Sequence, residues 1–111
     1  MIFNVYVDDR TFQIEVPAEI LEDGQAFYAK MDLDMDQGWQ MSREFVEHPD
    51  ILNRCQIAAD KLLTALHKDN RNLLLLMAGY ILTRMPSAHG VVIDTAGEIQ
   101  NTRILTAAGP Q

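Results

Sequence analysis

Disulfide chemistry is excluded at once, because Cys55 is the only cysteine. One thiol closes no internal bridge and builds no multi-cysteine zinc site. Basic residues are also scarce. Nine Lys and Arg stand against sixteen Asp and Glu, the net charge is −7, and no two basic residues are adjacent. Nucleic-acid binding draws on clustered cations that displace counterions from phosphate. Neither nucleic acid nor an anionic membrane surface is therefore an expected partner. Long apolar runs are missing too. The longest, Leu73 to Leu82, has ten residues, whereas a bilayer-spanning helix needs about 20. Met1-Ile2-Phe3-Asn4-Val5 lacks the basic segment, apolar core and small-residue cleavage site of an export signal. The only serines, Ser42 and Ser87, lie outside any Gly-x-Ser-x-Gly elbow, which removes serine-hydrolase chemistry.

What remains is an ordinary globular composition, 48% hydrophobic and 23% charged over 111 residues. That is enough to bury a core without covalent staples. A single cytoplasmic domain with a reduced thiol is expected, covering residues 1–111 with 106–111 as a frayed tail.

The first segment alternates with period two. Phe3, Val5 and Val7 lie on one face; Phe12, Ile14 and Val16 form the matching set after an Asp8-Asp9-Arg10 turn. Pro17 should end the second strand. From Phe27 the period changes. Phe27, Tyr28, Met31, Met35, Trp39, Ser42, Phe45 and Val46 recur at three- and four-residue steps, which predicts one long helix stopping at His48-Pro49. Gly38 falls inside it, either as a packing contact or as a kink. Asp50 should cap a second helix with an Ile51, Cys55, Ala58, Ala59, Leu62 and Leu66 stripe. Asp69 or Asn70 should cap a third, Leu73 to Met85, apolar on all sides and central to the core. Ala78 and Gly79 are expected to admit a close neighbour, the Ala58-Ala59 face. A second hairpin closes the chain: Val91-Val92-Ile93, a turn at 94–98, then Ile99 to Leu105. The class is α+β: an N-terminal β-hairpin, three central helices and a C-terminal β-hairpin, with one antiparallel sheet packed against the helices.

Chemistry is concentrated in Asp32-Leu33-Asp34-Met35-Asp36-Gln37-Gly38. Carboxylates at every second position followed by glycine begin a calcium loop. The remainder of that loop does not follow. Gln37 stands where the turn glycine belongs, and Arg43 where the bidentate acid belongs, with Glu44 one place late. The segment also lies within the helical pattern, where Asp34 points about 200° away from Asp32. A divalent-cation site on Asp32, Asp34, Asp36 and Glu44 is therefore the alternative reading. The main one is an acidic helix face, on which Asp-to-Asn changes should relieve repulsion.

Other motifs are weaker. Glu44 and His48 make an isolated acid–base pair, a remote enzyme reading. Cys55 sits on an apolar stripe, the setting of a buried structural thiol. Asp94-Thr95-Ala96-Gly97-Glu98 is similar to the magnesium and γ-phosphate segment of small GTPases. The phosphate-cradling glycine loop of that fold is absent.

The expected function is non-catalytic and cofactor-free: an accessory, regulatory or assembly role through a protein partner or self-association. The expected surface is Asp32, Asp34, Asp36, Trp39 and Met41, a hydrophobic anchor flanked by carboxylates that meet Lys or Arg on the partner.

Overall fold

Alternation at the N-terminus produces the hairpin it implies. In the computed structural model, which describes residues 1–111, β1 (Ile2–Val7) and β2 (Arg10–Glu15) pair antiparallel. Asp8 takes a left-handed φ of 54° in the turn, as tight hairpin turns require. Phe3, Val5 and Ile14 face inward. Pro17 ends β2 and opens a short helix, α1 (Ala18–Asp23), which the periodicity did not signal.

The long helix predicted over residues 27–46 does not form. α2 (Gln25–Asp36) stops early, and a small hairpin follows, β3 (Trp39–Met41) with β4 (Glu44–Val46). The reason is Gly38. Its φ of +91° is a conformation that L side chains resist. Its amide closes the helix on the Met35 carbonyl at 3.0 Å, and a glycine just past the last turn is the standard helix stop. A Cβ there would also lie 2.5 Å from the Phe45 ring. Trp39 and Val46 kept a helical spacing by coincidence, being opposite each other across the hairpin.

α3 (Ile51–His67) begins where expected, with Asp50 accepting from the Asn53 amide at 2.7 Å and Asn53 reciprocating. Asn70 caps α4 (Arg71–Arg84). Asp69 supplies the left-handed turn residue before it, with φ 57°.

The C-terminal segment forms β5 (Ala88–Ile93), a 3-10 turn (Ile99–Asn101), β6 (Arg103–Thr106) and β7 (Gly109–Pro110). The 3-10 turn explains why Ile99 onward alternates poorly. Residues 106–111 are not a frayed tail: β7 folds back on β6, and Gln111 exchanges backbone bonds with Ile104. Both terminal hairpins share one sheet, ordered β2-β1-β5-β6-β7. The sheet is mixed rather than wholly antiparallel, because β1 and β5 run parallel. Strands separated by the helices return to the same side of the molecule, and a parallel neighbour requires such a crossover.

One buried cluster of 25 residues joins sheet and helices. α4 lies at its centre, with Met77, Ala78, Tyr80 and Ile81 fully buried. Gly79 faces Tyr28, Ile20 and Leu21 of α2 and α1, not the Ala58-Ala59 face expected from sequence. Tyr28 and Tyr80 meet edge to face, centroids 5.6 Å apart. Such pairs add about 0.5–1.5 kcal/mol beyond area burial. No helix is long and apolar enough to cross a membrane.

Candidate functional site

A helix through residues 32–36 places Asp32 and Asp36 on one face and Asp34 on another. The Asp32 and Asp36 face turns toward α3 and α4, and there both carboxylates are taken. Tyr80 donates its hydroxyl to Asp32 Oδ1 at 2.6 Å. Arg84, one turn later on α4, reaches Asp32 Oδ2 through Nε at 3.1 Å and Nη2 at 2.6 Å. Arg54, in the first turn of α3, donates Nη1 to Asp32 Oδ1 at 3.3 Å and Nη2 to Asp36 Oδ1 at 2.7 Å. It also ties down the Asp32 and Pro49 carbonyls, at 3.2 and 2.9 Å. Three helices are thus fastened through one aspartate.

Burial alone would raise the Asp32 carboxyl. The Tyr80 hydroxyl, the Arg84 guanidinium and Arg54 outweigh it and hold the group below its ordinary 3.8. Burial, reinforced by the same carboxylate, pushes the Tyr80 phenol well above its usual range. Burial pushes the Cys55 thiol up to about 12, which fits an inert structural cysteine.

These contacts correct the sequence reading at several residues. Asp32 and Asp36 are half of an internal lock rather than a free acidic face, so removing their charge breaks bonds instead of relieving repulsion. Met41 is fully buried and cannot anchor a partner at the surface. Asp32, Asp34, Asp36 and Glu44 do not converge, and no three His, Cys, Asp or Glu side chains lie close enough to hold an ion together. Glu44 and His48 are both exposed, with no hydrogen bond between them.

Asp34 is exposed and Trp39 half-buried against the core, beside a feature that the linear pattern could not reveal. Phe27, Lys30, Met31 and Asp34 of α2 face Asp60, Lys61 and Thr64 of α3 and Leu73 and Met77 of α4 across a cleft of about 480 Å³. A smaller hollow continues it along Met31, Asp34, Met35, Trp39 and Lys61. The floor is apolar and methionine-rich. Phe27 stands 42% exposed at the rim, and Lys61 lies over the Trp39 ring at 4.9 Å, a cation–π contact. Asp34 and Asp60 have no ion-pair partner within 4.0 Å. Partial desolvation raises the Asp60 carboxyl, with Lys61 pulling it the other way.

Sequence reasoning missed Arg54, Tyr80 and Arg84. A signal was present: Tyr80 and Arg84 stand four residues apart on a helix otherwise almost free of charge, so they share a face. Comparison with known proteins finds no family model that matches this chain, no similar curated protein and no similar solved structure.

Proposed function

We propose that this protein works without catalysis, as a cytoplasmic accessory that holds a segment of a partner protein in the cleft between α2, α3 and α4. The carrying observation is the cleft itself: an apolar floor of Met31, Leu73 and Met77 rimmed by Asp34 and Asp60, neither in an ion pair, and by Lys30 and Lys61, the latter laid over the Trp39 ring. The chemistry that fits is an apolar side chain with Lys or Arg beside it. Methionine floors adjust to varied side chains. Carboxylates at the rim select the charge of what enters and speed its approach. Asp32 and Asp36 contribute indirectly, by fixing the helix that forms one wall.

A random peptide library panned on the protein tests this reading, with backbone amide shifts mapping the hits. Selected peptides should pair an apolar residue with a basic neighbour and perturb α2, the 60–64 turn of α3 and the start of α4. Asp34→Lys with Asp60→Lys should weaken binding about tenfold, or about 1.4 kcal/mol. Peptides without basic residues, or shifts confined to another face, would reject the cleft.

A further inference from the structure

The main sheet treats its two edges differently. β7 has two residues, one of them Pro110, which offers no N–H. The opposite edge, β2, is six residues long and pairs only with β1. Met1 and Val16 exchange both backbone bonds, at 2.8 and 3.0 Å. Antiparallel pairs alternate between bonded and non-bonded, so Phe3 with Ile14, Val5 with Phe12 and Val7 with Arg10 are the bonded pairs in this register. Thr11, Gln13 and Glu15 therefore turn their N–H and C=O groups outward, away from β1, and β2 has no partner on that side.

The helical layer forms a trough along this edge. Phe12, Gln13 and Ile14 line one wall, with Ala65, Leu66, Arg71 and Leu74 on the other, around about 220 Å³. Toward the hairpin turn the trough widens to about 500 Å³, between Asp8, Asp9 and Arg10 on one side and Leu66, His67 and Asp69 on the other. Arg10 is laid over the Phe12 ring at 4.9 Å and Asp8 accepts the Thr95 hydroxyl at 2.7 Å; three carboxylates, Asp8, Asp9 and Asp69, against one guanidinium leave that end net acidic. Arg71 is the cation at the far end.

We propose that β2 receives an extended segment of another protein as an added strand. Alternate apolar side chains would enter the trough, and a Lys or Arg would lie at the Asp8, Asp9 and Asp69 end. An unpaired strand beside a helix is the geometry of strand addition, in which main-chain bonds give affinity and pockets for alternate side chains give specificity. This surface is separate from the α2 cleft, and its failure would leave the cleft untouched.

The probe is a synthetic peptide of alternating Val and Thr ending in two lysines, titrated into the full chain while amide exchange is followed. Thr11, Gln13 and Glu15 amides should exchange fast without peptide and become protected with it. Gln13→Ala keeps the backbone donor and should bind within about twofold of wild type, whereas Gln13→Pro removes it and should bind roughly tenfold more weakly or worse. Should Gln13→Pro fail to fold, the Asp8→Asn, Asp9→Asn and Asp69→Asn variant decides the matter. Asn tolerates the left-handed backbone at 8 and 69, and the loss of charge should cost about tenfold in affinity. Equal binding by the Ala and Pro variants, an unweakened triple variant, or protection elsewhere on the chain would overturn the proposal. So would protection of β2 without peptide that rises with protein concentration, because a second copy would then occupy the edge.

Discussion

Replacing Asp32 with Asn should destabilise the protein by about 2–3 kcal/mol in denaturant melts, with Asp34→Asn within about 0.5 kcal/mol of wild type. Removing one partner of a buried ion pair costs roughly 3–5 kcal/mol, and water recovers part of that when the pair is partly exposed. Here the Asp32, Arg54 and Arg84 side chains are 27%, 18% and 24% exposed. The loss falls on several groups together, because the Tyr80 hydroxyl and both guanidinium groups converge on one carboxylate. The effect has a pH signature. Asp32 is held below its ordinary 3.8 in the folded state, so its stabilisation is fully present above that value. It disappears as pH falls through the lowered folded value. The gap between wild type and Asp32→Asn should be constant near neutrality and narrow below about pH 4. A gap unchanged down to the acid-unfolding limit would show that the carboxylate's charge is not what stabilises.

The second large effect lies at Gly79. Gly79→Leu should cost about 3 kcal/mol, near the upper end of overpacking penalties. A Cβ at this position would collide with the Tyr28 hydroxyl and lie 2.9 Å from Ile20 Cγ2. The Tyr28 hydroxyl is itself buried with no hydrogen-bond partner, and burial lifts its pKa to about 12. Leaving such a group unpaired costs about 1–3 kcal/mol, so Tyr28→Phe should be neutral or stabilising. It also removes the atom that obstructs residue 79. Gly79→Ala should therefore be less damaging in a Tyr28→Phe background, with a coupling of about 1 kcal/mol in a double-mutant cycle. Additive effects would mean that the collision is relieved by backbone movement instead.

The parts of the fold legible in sequence were those governed by local periodicity and capping. The Phe3/Val5/Val7 alternation, the Asp50 cap and the apolar run of α4 each state their structure within a few residues. The segment over residues 27–46 misled because two signals competed. Trp39, Phe45 and Val46 extended a helical period, while Gly38 supplied a stop, and the stop prevailed because its backbone conformation suits glycine. The parallel β1–β5 junction was hidden for another reason: nothing local to either strand reports which neighbour an intervening helical layer delivers. At the site, Asp32, Asp34 and Asp36 were grouped as one acidic surface, whereas Asp32 and Asp36 turn toward α3 and α4 without Asp34. Their role was misread, since Arg54, Tyr80 and Arg84 are 18 or more positions away. The α2 cleft exists only after α2, α3 and α4 are packed, and of its residues Asp34 alone was singled out in advance as a binding residue.

The central claim is that the carboxylates at 32 and 36 are committed to holding α2 against its neighbours and are not free to hold an ion. Thermal unfolding of chelator-stripped protein, with and without excess calcium, magnesium, manganese or zinc, tests it most directly. An ion bound by the native state and present at 100 times its dissociation constant would add about 2.7 kcal/mol, a shift plain in any melt. The account predicts superimposable melts with every ion, because Arg54, Arg84 and Tyr80 already fill the positions an ion would need. A selective rise with one ion, abolished in Asp32→Asn, would contradict it and make the aspartate segment a cation site.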